Sequence, residues 1–192
     1  MDAAVVVSDN FDRPNAPNLG ANWTGLTALG ANLIVTNNQA GAEREDAECL
    51  AYWSHDTFSD NQYAQAVIPK IGFITAVVLR ADSTQDRFYY GEVIGQNAYN
   101  IVVRWDSAWY LVASGTSETW QAGDTLRLEA SGLVNPVTIR MYRNGIQVLT
   151  WTTSSDLYVK SGGSPGLAIF SQSGSGLTLD NWKAGTCRRR GW

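Results

Sequence analysis

Ionisable side chains are scarce in this chain. Only 17% of its 192 residues are charged, against roughly a quarter in an ordinary globular domain, so much of the surface is predicted to be flat and neutral. The net charge is −4, which argues against a nucleic-acid partner, since such faces are built from clustered Lys and Arg. The one basic run, Arg188-Arg189-Arg190, falls in residues 186–192, which read as a basic C-terminal tail. That tail is either solvated or an electrostatic contact for an acidic partner. Histidine occurs once, at His55, and cysteine twice, at Cys49 and Cys187. So few nitrogen and sulfur ligands exclude a structural zinc site, and a single His leaves little room for a serine-hydrolase triad. The two Cys either bridge the first third of the chain to its tail or stand as separate thiols, because sequence does not show their geometry. No run approaches the ~20 apolar residues that span a bilayer, which argues against membrane insertion. Met1-Asp2 lacks a basic start and Val5-Val6-Val7 is too short for a signal core, so no signal peptide is visible. The chain reads either as an excised domain or as a protein made and used without Sec export.

What is present is apolar and aromatic: 44% hydrophobic residues, with eight Trp and eight Tyr. The pattern is strands and turns throughout. Val5–Val7, Leu33–Thr36, Gln62–Ile68, Phe73–Arg80, Phe88–Ile94, Tyr99–Trp105, Trp109–Ser114, Leu167–Ser171 and Leu177–Trp182 read as strands. Leu126, Leu128 and Ala130 alternate with Arg127 and Glu129, the period of a half-buried strand. Ala42–Leu50 is expected to form at most one short turn of helix, from its Glu and Arg content. Asn144-Gly145 separates two β-branched runs and predicts a two-residue type I′ hairpin. That register sets Met141 opposite Val148 and Ile139 opposite Thr150. One face then carries Val137, Ile139, Met141, Ile146 and Val148 as core. The other carries Thr138, Arg140, Tyr142, Gln147, Leu149 and Trp151. Asp106-Ser107 is expected to turn a second hairpin. Evenly spaced turns without a helical stripe predict an all-β fold: a two-sheet antiparallel β-sandwich or barrel in one domain, residues 1–192.

Asp9-Asn10-Phe11-Asp12-Arg13, then Leu19-Gly20-Ala21-Asn22-Trp23-Thr24, resemble the opening of concanavalin A-like, laminin-G-like jelly rolls. Phe58-Ser59-Asp60-Asn61-Gln62-Tyr63-Ala64-Gln65, Ala122-Gly123-Asp124-Thr125-Leu126-Arg127-Leu128-Glu129 and Tyr142-Arg143-Asn144-Gly145 follow in the same order. Gly162-Gly163-Ser164-Pro165-Gly166 and Leu179-Asp180-Asn181-Trp182-Lys183-Ala184-Gly185 complete the set. The likeness covers nearly the whole chain. It implies a jelly-roll sandwich of the kind found in carbohydrate-binding modules and in bacteriophage tail or capsid accessory proteins. The phage-like group implies a virion or extracellular-surface location, assembly with other virion subunits and a homo-oligomer. In many similar jelly rolls the first and last strands clasp calcium, which places Asp9, Asp12 and Asp180 as candidate ligands of a structural Ca2+. The alternative is that Asp9 and Asp12 form Asx turns and Asp180 caps a strand end.

Catalysis has few carriers. Glycan hydrolysis needs two carboxylates roughly 5–10 Å apart, and Glu43, Glu45, Asp46 and Glu48 lie in a polar stretch that reads better as a loop. The lyases of this fold use Tyr with a uronate-neutralising partner. Tyr89, Tyr90, Gln96, Tyr99 and His55 are the residues available, without the ordered motif pairs. Asn22-Trp23-Thr24 matches a glycosylation acceptor, of little weight without export. Glycan binding asks for aromatic faces with planar polar neighbours. Trp105 and Trp109 flank the Asp106-Ser107 turn, and Arg140, Tyr142 and Trp151 share one predicted hairpin face. These five are the candidate carbohydrate-binding residues, unless Trp151 and Tyr142 pack under a covering loop and Trp105 is core. The sequence therefore predicts a non-catalytic accessory protein that presents a sandwich to a glycan or host-surface polysaccharide. The alternatives are a purely structural decoration protein, and an enzyme of the lyase or hydrolase class.

Overall fold

The computed structural model describes residues 5–26, 29–82, 86–133, 136–153, 159, 162–172 and 176–187. The described chain forms β1 (Val6–Asp9), β2 (Trp23–Gly25), β3 (Gly30–Ala31), β4 (Leu33–Thr36), β5 (Gln39–Ala42), β6 (Glu48–Trp53), β7 (Gln62–Val67) and β8 (Ile74–Asp82). Then follow β9 (Arg87–Ile94), β10 (Ala98–Trp105), β11 (Ala108–Gly115), β12 (Thr125–Ser131), β13 (Val137–Arg143), β14 (Ile146–Thr153), β15 (Ser164–Phe170) and β16 (Thr178–Thr186). Among the described residues there is no α-helix. The segment before Cys49, expected to carry a helical turn, is a bend with Asp46 at φ 56°. Glu48 onward is β6, because Cys49, Leu50, Ala51 and Trp53 are buried against β15 and β2.

Two sheets face each other. One runs β14-β13-β12-β7-β16-β5-β4, with β1 added on β16; the other runs β11-β10-β9-β8-β15-β6-β2, with β3 on β6. All pairs are antiparallel except the two-residue β3–β6 pair. The first and last strands are neighbours, Val6 to Asp9 lying against Gly185 to Trp182. Between the sheets Leu126, Leu128 and Ala130 of β12 and Val137, Ile139 and Met141 of β13 are fully buried. They meet Tyr89 and Val93 of β9 and Ile101 and Val103 of β10. Each fully buried Leu or Ile contributes roughly 1.5–3 kcal/mol. The sheet containing β9 is apolar on both sides: Leu50, Ala76, Val78, Phe88, Tyr90, Val102 and Ala168 form a second cluster, separate from the main core.

Three hairpins turn on two residues of positive φ: Asn37-Asn38 (50°, 59°), Asp106-Ser107 (47°, 67°) and Asn144-Gly145 (50°, 81°). This is the type I′ geometry, whose twist matches that of the flanking strands. The Asn144-Gly145 hairpin pairs Arg143 with Ile146 and Tyr142 with Gln147, as its turn dictates. Beyond that the predicted register fails. Met141 lies opposite Leu149, and Ile139 opposite Trp151, because Val148 is an extra residue in a β-bulge. A one-residue slip moves every later side chain to the other face. Trp151 is thereby carried off the Arg140–Tyr142 face onto the core side, 6.3 Å from the Tyr89 ring. Ile146, placed in the core by the simple register, is instead 72% exposed. β11 carries a matching bulge at Val112, where the pairing steps from Ile101–Ala113 to Val102–Leu111. Both bulged valines pack partly against the core.

Cys49 and Cys187 are separate thiols. Thr186 closes β16 and the Cys187 N–H donates to the Asn61 carbonyl at 2.7 Å. The basic run Arg188–Arg190 lies outside the described residues.

Candidate functional site

The outward faces of the two sheets each carry a groove. On the first sheet, the period-2 pleat that buries Ala64 and Ala66 turns Tyr63 and Gln65 outward. The same pleat on β12 turns Arg127, Glu129 and Ser131 outward. Pairing sets Arg127 between Gln65 and Tyr142, and Glu129 between Tyr63 and Arg140. These side chains line a groove of about 1250 Å³, together with Asn144, Thr186 and Cys187. They hold one another in place. The Arg127 guanidinium lies 3.8 Å from the Tyr63 ring centroid, with Nε donating to Glu129 at 2.7 Å and NH1 donating to Gln65 at 3.0 Å. Tyr142 OH donates to the second Glu129 oxygen at 3.1 Å, and Arg140 donates to Ser131 Oγ at 2.9 Å. Burial, reinforced by the Glu129 charge, raises the Tyr142 phenol, and burial raises Tyr63. The Cys187 thiol is pushed up to about 11, by burial and then by Glu129. None of the three presents an anion to the groove at neutral pH, so the guanidiniums dominate its charge.

The second groove, of about 410 Å³, lies on the outer side of the β9 sheet. Ile74, Val102, Trp109, Leu111 and Phe170 give it apolar walls, and Glu48, Tyr90, Glu92 and Asn100 supply polar groups. Asn100 Nδ2 donates to Glu92 at 2.7 Å. Burial pushes the Glu48 carboxyl up to about 7, against smaller downward pulls from the Tyr90 hydroxyl and Arg104. Burial also raises Glu92.

The five candidate sugar-binding residues are thus divided. Arg140 and Tyr142 sit together in the first groove. Trp109, 41% exposed, borders the second, its ring under the Arg104 guanidinium at 4.7 Å. Trp105 is half-buried against the core, with Arg87 3.8 Å from its ring centroid and Arg87 also bound to Asp106. Trp151 belongs to the core side of β14, for the register reason given above, and shares no face with Tyr142. Tyr63, Gln65, Arg127 and Glu129 were not on the candidate list, although the alternation of Gln62–Ile68 and Leu126–Ala130 already marks them as outward. Glu48 and Tyr90 were read only as catalytic candidates, and Glu92 gave no comparable signal. The apolar residues between them in sequence hide a face that is itself apolar.

The calcium expectation does not fit these residues. Asp9 accepts from Arg13 at 2.6 and 2.9 Å, from Trp23 Nε1 at 2.9 Å and from the Phe11 N–H at 2.9 Å. A guanidinium therefore takes both oxygens that a cation would need. It also holds the carboxyl below its usual range despite burial. Asp180 accepts from the Asn181 N–H at 2.7 Å and its side-chain amide at 3.2 Å, and Asp12 is exposed. Among the described residues no three His, Cys, Asp or Glu groups are gathered as a metal site would require. The likeness at Asp9–Arg13, Trp23 and Trp182 has a packing explanation instead. Trp23 lies 4.5 Å from Trp182 and 5.4 Å from Trp53, and Asp9 anchors that cluster to the first strand.

Of the hydrolase and lyase candidates, Glu48 and Tyr90 meet in the second groove; the others scatter. Glu43 and Glu45 are exposed in the bend before β6. Tyr89 and Tyr99 point inward, the first donating to the Val159 carbonyl and the second paired with Ser117 at 2.9 Å. Gly162-Gly163-Ser164-Pro165-Gly166 spells the nucleophile-elbow pattern Gly-x-Ser-x-Gly, but Ser164 opens β15 opposite Ala81, in strand rather than at a strand-to-helix turn.

No family model matches the sequence, and no curated protein matches it. Solved structures do. The carbohydrate-binding module CBM66 from Bacillus subtilis superposes with a TM-score of 0.61 at 18% identity, over 88% of this chain and 94% of that one. The fold is the concanavalin A-like jelly roll. A prokaryotic β-1,3-1,4-glucanase (lichenase) from a mouse hindgut metagenome matches with a TM-score of 0.58 at 12% identity, covering 94% and 98% of the two chains. The exoplasmic/lumenal domain of VIP36, solved bound to Ca2+ and Man3GlcNAc, matches with a TM-score of 0.58 at 11% identity, over 92% and 88%. On this jelly roll, then, the two grooves occupy the outer faces of opposite sheets.

Proposed function

We propose that this jelly roll is a carbohydrate-binding domain that holds a glycan in the Tyr63–Arg127–Glu129–Arg140–Tyr142 groove without cleaving it. The observation that carries the reading is the fixed lattice of that groove. Its planar polar side chains are already locked to one another and backed by two Tyr rings, so little ordering cost is left for binding. Guanidinium and amide edges recognise vicinal hydroxyls or a uronate, and the Tyr142 ring supplies flat apolar surface. Carbohydrate-binding structural relatives support the same class of ligand. Cleavage would need two carboxylates across the scissile bond, and Glu129, the one acid among the described residues lining this groove, is engaged by Arg127 and Tyr142.

The sequence likeness to phage tail and capsid accessory domains supports a setting on a virion or other surface assembly, as a homo-oligomer whose partners include host-surface polysaccharide. A glycan array with the purified protein, run with calcium and with chelator, tests the ligand class. Selective retention that Arg127→Ala and Tyr142→Ala abolish, with the fold intact, is the expected result. Failure to retain any glycan would shift the reading to a structural shell component. Retention unchanged in both variants would move the site elsewhere.

A further inference from the structure

The second groove is built unlike the first. Two carboxyls, Glu48 and Glu92, converge on it, and none of its described lining residues is basic. Its floor is apolar, so ionising those carboxyls in it is costly unless a cation answers them. The nearest guanidinium, Arg104, is committed elsewhere: it donates to Asp86 at 2.9–3.2 Å. Tyr90 is the independent sign that something is meant to bind. It is 1% exposed, it lines the groove, and its buried hydroxyl, though near enough to Glu48 to pull on that carboxyl, makes no hydrogen bond of good geometry to any described residue. An orphaned buried hydroxyl costs on the order of 1–3 kcal/mol and is expected where a ligand completes the bonding. Glu92 has one oxygen held by Asn100 at 2.7 Å and no bond recorded on the other.

We infer that this groove binds a pyranose bearing a protonated primary amine, with the ammonium seated among Glu48, Glu92 and the Tyr90 hydroxyl and the ring carbons against the apolar wall of Trp109, Leu111 and Val102. The inference rests on the glycan-binding reading only in placing the amine on a sugar. An ammonium brings three N–H donors and no acceptor, which matches two carboxyls and a phenol oxygen. A sugar hydroxyl would satisfy one bond and leave the charge unanswered. Calcium takes 6–8 oxygen ligands, more than two carboxyls, one amide and one phenol supply. Burial holds Glu48 partly protonated near neutral pH in the free protein, and the ammonium draws it back to carboxylate on binding.

The test is calorimetric titration with a glucosamine hexamer and with its fully N-acetylated counterpart, which differ in the amine and its charge. The full chain is used as wild type and as Glu48→Gln, Glu92→Gln and Tyr90→Phe. The glucosamine hexamer is expected to bind at least tenfold more tightly than the acetylated one. Either Glu→Gln change should erase that preference, and Tyr90→Phe should weaken it. Equal affinity for the two hexamers, or no binding of glucosamine by the folded wild type, would overturn the inference. So would a preference that survives both Glu→Gln changes, which would place the amine in the opposite groove and leave the glycan-binding reading standing. Shortening of the hexamer during titration would also overturn it, by making the carboxyl pair reactive rather than receptive.

Discussion

Replacing Glu48 by Gln should stabilise the protein, and only above a defined pH. The carboxyl is forced up to about 7 from its ordinary 4.5, chiefly because it is buried on an apolar sheet face. Holding a carboxylate there costs the folded state roughly 3 kcal/mol, at ~1.4 kcal/mol per pH unit between the two values. The sign follows from the order of the two values. Below pH 4.5 the group is protonated in both folded and unfolded chains, and nothing is lost. Between 4.5 and 7 the unfolded chain releases its proton first, so stability falls as pH rises. Above 7 the loss is complete. Gln keeps the shape and carries no charge. Wild type and Glu48→Gln should therefore melt together near pH 4 and separate by pH 8, the variant higher. For a chain of this length ~1 kcal/mol corresponds to roughly 2–4 °C, so the separation should be about 6–12 °C. Glu92 is present in both proteins, and its own raised value largely cancels from the comparison. Scanning calorimetry from pH 4 to 9 makes the measurement. A melting difference that does not change with pH, or a variant less stable at pH 8, would refute the argument.

Deleting Val148 removes the bulge but leaves Leu149 opposite Met141 and Trp151 opposite Ile139, so Trp151 stays on the core side. It should cost no more than about 1.5–3 kcal/mol, the burial of one valine, read by chemical denaturation. Trp151→Ala should destabilise by about 2–4 kcal/mol while leaving glycan retention unchanged in the folded protein, measured on the same array. Asp9→Asn should lower the melting temperature equally in calcium and in chelator, since its partners are Arg13 and Trp23 rather than a metal. An effect confined to calcium would reinstate the cation. Because its carboxyl is held below the usual value, the Asp9 contribution should be present at neutral pH and fade as pH falls below about 4.

The sheets were legible because their signals are local. Alternation in Leu126–Ala130 and the Asn144-Gly145 pair state face and turn within a few residues, and the fold has both as they read. The site was legible where the same alternation reached it, at Arg140 and Tyr142. It was lost at Trp151 because a bulge leaves no mark in the residues around it. Val148 looks like any other strand valine, and its displacement is decided by what it packs on across the sandwich. The meeting of Glu48 with Glu92 was missed for another reason. They lie on β6 and β9, with β15 and β8 between them, so only the strand order, which long-range pairing sets, brings their side chains to one groove.

The paired bulges at Val112 and Val148 have a consequence for how molecules of this protein meet. β11 and β14 end their respective sheets, and the two strands lie against each other along one side of the sandwich. An ordinary end strand offers a ladder of free amides and carbonyls on which another chain can crystallise into fibril-like order. Here each end strand is bent inward by its extra valine, and its spacing is broken midway, so no straight incoming strand can match it over more than a few residues. Copies that met along this side of the sandwich would thus contact one another through side chains rather than through a shared, growing sheet.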